Sequence, residues 1–153
     1  DKVLLGSLIG LELSRVYKGP LFKNIIAPKD FIIQVDGEIK SINLNENLTK
    51  ESIKDIGPRT IKEYENYVNS AQTIIWNGPL GECEDERFSK GTDSVIKAIA
   101  KSKAKKLAGG GETLLAIKKM KLEKEFTHLS TGGGALLEML AGKELPGIKA
   151  ITI

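Results

Sequence analysis

Three glycine-bearing stretches are the places where this chain could hold an anion: Asn77-Gly78-Pro79-Leu80-Gly81, Gly109-Gly110-Gly111-Glu112-Thr113 and Ser130-Thr131-Gly132-Gly133-Gly134-Ala135. Glycine lets the backbone approach a phosphate with no Cβ in the way, and a helix that follows offers its free N–H groups and positive dipole end. One triplet alone is more often a turn or a helix start. Two triplets, each after a strand-like run and before a helix-like run, would aim two helix N-termini at one crevice, which suits a polyphosphate. Neither triplet matches G-x-G-x-x-G with a ribose-binding acid downstream, nor the G-x-x-x-x-G-K-[ST] loop. A dinucleotide dehydrogenase and a P-loop ATPase are therefore both disfavoured.

The elements that must position these loops can be read from the apolar pattern. Residues 73–76, 105–108 and 127–129 read as strands, and residues 92–100, 113–119 and 134–141 as the helices that alternate with them; 148–151 reads as a last strand after Leu145-Pro146-Gly147. Nearer the start, 3–5 reads as a strand stopped by Gly6, 8–16 as a helix, and 24–27 as a further apolar run up to Pro28. Asp36-Gly37 separates the runs 31–35 and 39–44, a strong hairpin signal. Strands alternating with helices of this length predict an α/β fold: a three-layer, Rossmann-like, mainly parallel sheet with helices on both faces and an antiparallel hairpin at one edge. In such sheets ligands bind beyond the carboxyl ends of the strands, where the three glycine loops would lie.

Composition limits the alternatives. The chain of 153 residues is 41% hydrophobic and 28% charged, enough for one domain with a real core. Its net charge of +3 argues against a nucleic-acid or membrane surface as the main partner. The single cysteine, Cys83, cannot close an internal disulfide, and there is no Cys/His set spaced for zinc, which fits a reducing, cytoplasmic setting. No apolar run reaches the ~20 residues that span a bilayer, and the start lacks the layout of a signal peptide. The chain opens on Asp1 without an initiator methionine, in what reads as a strand, so a piece of a longer protein is expected.

Other conspicuous residues have bland readings. His128 lies inside a short strand and reads as a structural, hydrogen-bonded histidine. Cys83 is flanked by Glu82 and Glu84, which hold a thiol protonated and inert. Lys101, Lys103, Lys105 and Lys106 read as a solvated helix end, where cations meet the negative dipole terminus. Trp76, in an apolar strand, reads as core.

The motifs also carry a resemblance. Trp76-Asn77-Gly78-Pro79-Leu80-Gly81, then Glu84, Phe88 and Gly91-Thr92, resembles the phosphoglycerate kinase pattern W-N-G-P-x-G-x-x-E followed by F and G-T. Gly109-Gly110-Gly111-Glu112-Thr113 is similar to that family's G-G-G-D-T, with Glu112 in place of the usual aspartate. His128-Leu129-Ser130-Thr131-Gly132-Gly133-Gly134-Ala135 with Leu137-Glu138 resembles its H-h-S-T-G-G-G-A-x-L-E, where h is apolar. Gly142-Lys143, Leu145-Pro146-Gly147 and, upstream, Asp55-Ile56-Gly57-Pro58 follow in the family's order. The match is dense over residues 55–147 and looser over 1–54.

The resemblance implies that residues 1–153 form part of a carboxy-terminal, nucleotide-binding domain. It implies that Asn77 and Pro79 line the nucleotide site, that Glu84 meets the ribose hydroxyls, and that Gly110 and Gly111 belong to the phosphate loop. Glu112 would serve Mg²⁺ and Thr113 a phosphate, while the backbone of Gly132, Gly133 and Gly134 would cup the transferring phosphoryl group. The implied reaction is phosphoryl transfer from 1,3-bisphosphoglycerate to Mg·ADP, reversibly giving 3-phosphoglycerate and ATP in glycolysis, by an enzyme that is a monomer when intact. The family's G-G-A-K loop and the basic amino-terminal domain that grips phosphoglycerate have no counterpart in this sequence, so this chain alone is expected to be inactive. Two rival readings stay open: a nucleotide- or phosphate-binding module without catalysis, and an α/β domain kept for association with a partner chain.

Overall fold

In the computed structural model, which describes residues 1–16, 23–44, 48–49 and 52–151, the chain divides into two compact units. The first comprises Asp1–Ala71 and Pro79–Lys103, the second Gln72–Gly78 and Ala104–Ile153. The fold is mixed α/β, with parallel strands in both units and an antiparallel sheet in the first.

In the first unit, β1 (Val3–Leu4) pairs in parallel with β2 (Ile25–Ile26), and α1 (Ser7–Val16) follows β1. The expected hairpin is β3 (Asp30–Val35) and β4 (Glu38–Asn43), in the register Val35↔Glu38. Both of its turn residues take positive φ, Asp36 at 50° and Gly37 at 81°, the twist that a two-residue connection needs. It is not a bare ribbon, because β5 (Ile53–Ile56) pairs with β3 on the other side and makes a three-stranded antiparallel sheet. Leu11, Phe31, Ile33, Leu48 and Ile53 form the core beneath it.

Among the described residues this unit also holds α2 (Pro58–Ser70) and α3 (Lys90–Lys101). The sequence pattern assigns nothing to residues 53–70, yet α2 opens on proline, which suits a first helical position, and buries Thr60, Ile61, Tyr64 and Val68 along one face. The fully buried Tyr64 donates its hydroxyl to the carbonyl of Leu5 at 2.7 Å, tying α2 to the end of β1. Burial pushes that phenol's pKa well up, so the hydroxyl stays a donor.

In the second unit, β6 (Thr73–Asn77), β7 (Lys105–Gly109) and β8 (His128–Ser130) form a parallel sheet in that order. Its helices are α4 (Gly111–Lys119), α5 (Gly133–Leu140) and α6 (Pro146–Ile151). Trp76, Ala108, Ile117, Phe126 and Leu136 are buried, so Trp76 is core as its strand context predicts. The expected last strand at 148–151 is instead the short helix α6. So short an apolar run has no decisive period, Pro146 presets the first turn, and Lys149 N–H reaches the carbonyl of Leu145 at 3.0 Å. His128 also departs from expectation: it opens β8 on the surface, exposed, at the end of the strand away from Ser130. Of the basic run, Lys101 ends α3 as expected, whereas Lys105 and Lys106 open β7, and Lys106 is buried.

Candidate functional site

The three parallel strands of the second unit end level with one another. Asn77 pairs with Gly109, and Gly109 with Ser130. All three glycine loops therefore leave the same edge of the sheet, the carboxyl end where open α/β sheets place their ligands. Gly78 and Gly110 take φ of 89° and 94°, a conformation that L side chains rarely adopt, and these residues turn the chain sharply off the strands.

Asn77 braces the two triplets against each other. Its side-chain Nδ2 donates to the carbonyl of Gly133 at 3.0 Å. Its Oδ1 lies where a Cβ on either Gly110 or Gly133 would come within 2.8 or 2.9 Å, and a Cβ on Gly133 would stand 2.9 Å from the Cα of Gly110. The loops approach this closely only because both positions are glycine. Gly110 N–H also donates to the carbonyl of Ser130 at 3.1 Å, which extends the β7–β8 ladder into the loops.

The close approach brings the first turns of α4 and α5 together. The residues before them, Gly110 and Gly132, have no side chain to cap with, and among the described residues no carboxylate or hydroxyl accepts the helices' leading N–H groups. A Cβ on Gly111 or Gly134 would meet no described residue within 4 Å. Glu112 stands exposed in the first turn of α4.

Thr113 does something the sequence did not foretell. It is fully buried, and its hydroxyl accepts the N–H of Gly78 at 2.8 Å, pinning the loop after β6 to α4. Asn77, Gly110, Gly111, Glu112, Thr113, Gly132, Gly133 and Gly134 thus gather at one edge of one unit. Pro79 and Glu84 belong to the first unit, where Glu84 is exposed on the segment between Leu80 and the short 3₁₀ turn Glu86–Phe88.

Mg²⁺ binding can be tested against these residues. The ion commonly keeps several waters and takes one or two carboxylates plus substrate phosphates. Among the described residues no three His, Cys, Asp or Glu side chains cluster, so no all-protein cage exists there. A single exposed carboxylate, Glu112, beside two uncapped helix starts fits the substrate-bridged mode.

In the first unit, sequence reasoning missed two buried carboxylates, Asp30 and Asp55. Asp30 accepts the N–H groups of Arg59 at 3.0 Å and Thr60 at 2.8 Å, capping α2 from another strand. Asp55 accepts the N–H of Gly91 at 2.6 Å and of Ile56 at 2.8 Å. Burial lifts its pKa from 3.8 to about 6; the Gly91 and Ile56 N–H groups offset part of the rise, and the nearby Asp93 charge adds to it. The available signal was each acid's distance from a glycine at a helix start, which only the fold reveals.

Comparison with known proteins agrees with this geometry. The family model described as phosphoglycerate kinase matches residues 18–143. A phosphoglycerate kinase of Leptospira biflexa is 50% identical over 97 residues, covering 63% of this chain and 24% of that protein. The solved phosphoglycerate kinase of Coxiella burnetii matches 97% of this chain and 46% of its own with a TM-score of 0.80 at 34% identity. That of Pyrococcus horikoshii matches 99% and 45% with a TM-score of 0.83 at 35% identity. The chain thus spans under half of these solved relatives and about a quarter of the Leptospira protein. With level strand ends, braced glycine loops and these likenesses together, the chain belongs to the phosphoglycerate kinase family.

Proposed function

We propose that this chain is the nucleotide-binding part of a phosphoglycerate kinase, serving reversible phosphoryl transfer between 1,3-bisphosphoglycerate and ADP. The observation that carries the reading is the Asn77 brace, which holds two uncapped helix N-termini at the same strand edge. Phosphoryl transfer leaves the protein little covalent work, so positioning and charge neutralisation decide the rate.

The residues divide that work. The N–H groups at the starts of α4 and α5 meet phosphate oxygens, with the Gly132, Gly133 and Gly134 backbone around the transferring group. Asn77 and Thr113 hold those loops in place, and Thr113 keeps its hydroxyl hydrogen to offer. Glu112 holds Mg²⁺, which when bound offsets negative charge on the phosphates. Pro79 belongs to the nucleotide pocket, and Glu84 accepts hydrogen bonds from the ribose hydroxyls. The phosphoglycerate end of the reaction falls to an amino-terminal domain of the same enzyme. No described helix is long and apolar enough to cross a membrane.

Calorimetric titration of the full chain with ADP and with pyrophosphate, each with and without Mg²⁺, tests the reading. Binding of both ligands, with ADP strengthened by Mg²⁺, is expected. Binding of neither ligand would remove the nucleotide role.

A further inference from the structure

The proposed ribose contact, Glu84, stands on a segment whose shape the strand β5 sets. Glu82 N–H donates to the carbonyl of Lys54 at 2.7 Å, and Lys54 Nζ meets Glu82 Oε1 at 2.8 Å. Cys83 N–H donates to the carbonyl of Gly81, and Asp85 N–H to that of Glu82, so the backbone is tied on both sides of Glu84. At the far end Phe88 is buried, and Gly91 N–H meets the Asp55 carboxylate at 2.6 Å. Asp55 touches the near end too. A Cβ on Gly81 would fall under 3.0 Å from its Oδ1, and a Cβ on Gly91 would do the same. One buried carboxylate is therefore in contact with both ends of the segment, and glycine stands at each point of contact.

We infer that Asp55 is a positioning residue for residues 81–91, setting where the Glu84 carboxylate meets a nucleoside sugar; the inference rests on the ribose reading of Glu84. A carboxylate suits this place because both oxygens accept: Oδ2 takes the N–H of Gly91 and Oδ1 that of Ile56. Asparagine has one acceptor fewer and would set an N–H₂ group against one of those two donors. The segment would shift while the hydrophobic core of the unit stays filled.

The test is a double-mutant cycle in the full chain, with Asp55→Asn, Glu84→Ala and the pair, each titrated with ADP and with pyrophosphate. Asp55→Asn is expected to weaken ADP by roughly threefold to tenfold and leave pyrophosphate within about twofold, the pair being no weaker than Glu84→Ala alone. Additive losses, or an equal loss of pyrophosphate, would overturn the positioning role while leaving Glu84 on the ribose. An ADP affinity untouched by Glu84→Ala, or a wild-type chain that binds neither ligand, would overturn the ribose reading and the positioning role with it. Should Asp55→Asn fail to fold, Lys54→Met removes the Lys54–Glu82 ion pair that steadies the same segment without disturbing the buried carboxylate. It should give the same ADP-selective loss at smaller size, with faster amide exchange confined to residues 81–91. A loss of ADP affinity in that variant as large as that of Glu84→Ala would show that the Lys54–Glu82 pair and not Asp55 sets the segment, and would sink the proposal.

Discussion

The two units treat the same physical problem in opposite ways. Every helix begins with N–H groups that lack intrahelical partners. In the first unit the protein supplies the anion itself: Asp30 serves the start of α2 and Asp55 the start of α3. In the second unit α4 and α5 start behind Gly110 and Gly132, with no side-chain cap. Glycine serves both arrangements. Gly57, Gly81 and Gly91 make room for a buried carboxylate of the chain, whereas Gly111 and Gly134 leave room that no described residue fills. The difference separates helix ends that hold a structure together from helix ends available to a ligand.

If that division is right, removing an internal anion should cost stability first. Asp30→Ala is expected to cost roughly 4 kcal/mol, because it strands two backbone N–H groups and the Thr60 hydroxyl in a buried site. Urea unfolding measures it, and a loss under about 1 kcal/mol would deny Asp30 its capping role. Asp55 gives the next effect, with a definite sign. Its folded-state pKa of about 6 exceeds the unfolded 3.8, so the native state holds the extra proton between those values. The stabilisation tied to that proton is complete below pH 3.8 and is lost as pH rises through about 6. Relative to Asp55→Asn, wild-type stability should fall by about 3 kcal/mol across that window, an order-of-magnitude figure at 1.36 kcal/mol per pKa unit. A difference that rises with pH would reverse the assignment.

How legible this was depends on how local each signal is. The hairpin at Asp36-Gly37 and the strand–glycine–helix rhythm after residue 72 are written in neighbouring residues, and the fold follows the first throughout and the second as far as α5. β5 was hidden because it is four residues long and carries Lys54 and Asp55 amid its isoleucines, which hides it from any apolar pattern. The Thr113 and Asn77 side chains were legible as site members, but not as braces, since their partners Gly78 and Gly133 lie 35 and 56 positions away. Asp30 and Asp55 were invisible as caps for the same reason: a carboxylate that serves a helix about thirty positions on leaves no local mark.

The brace itself offers a sharper separation of the two kinds of helix end. Gly133→Ala would push a Cβ against Asn77 Oδ1 and Gly110 Cα, both backed by the sheet. Splaying the loops should weaken ADP and pyrophosphate together by roughly tenfold, about 1.4 kcal/mol. The first unit has no part in that contact, so its amide exchange should be unaltered. A loss of pyrophosphate affinity under about twofold in Gly133→Ala would show that the brace is not what matters.

The smallest expected effect comes from Glu112, and it separates charge from shape. Its carboxylate is exposed in the first turn of α4, so Glu112→Gln should move stability by less than about 0.5 kcal/mol. Losing a negative charge there removes a favourable interaction with the helix dipole, and it also removes repulsion against an incoming phosphate. Those two consequences predict opposite responses from the two ligands. Metal-free pyrophosphate should bind slightly better to Glu112→Gln, while the gain in ADP affinity on adding Mg²⁺ should shrink by about threefold or more, because a neutral amide is a poor ligand for a hard cation. Titrations with and without the metal read both changes on one protein sample. If the Mg²⁺-dependent gain survives the substitution intact, Glu112 is a bystander at the helix start, and the metal is held by the phosphates and by groups outside this edge of the sheet.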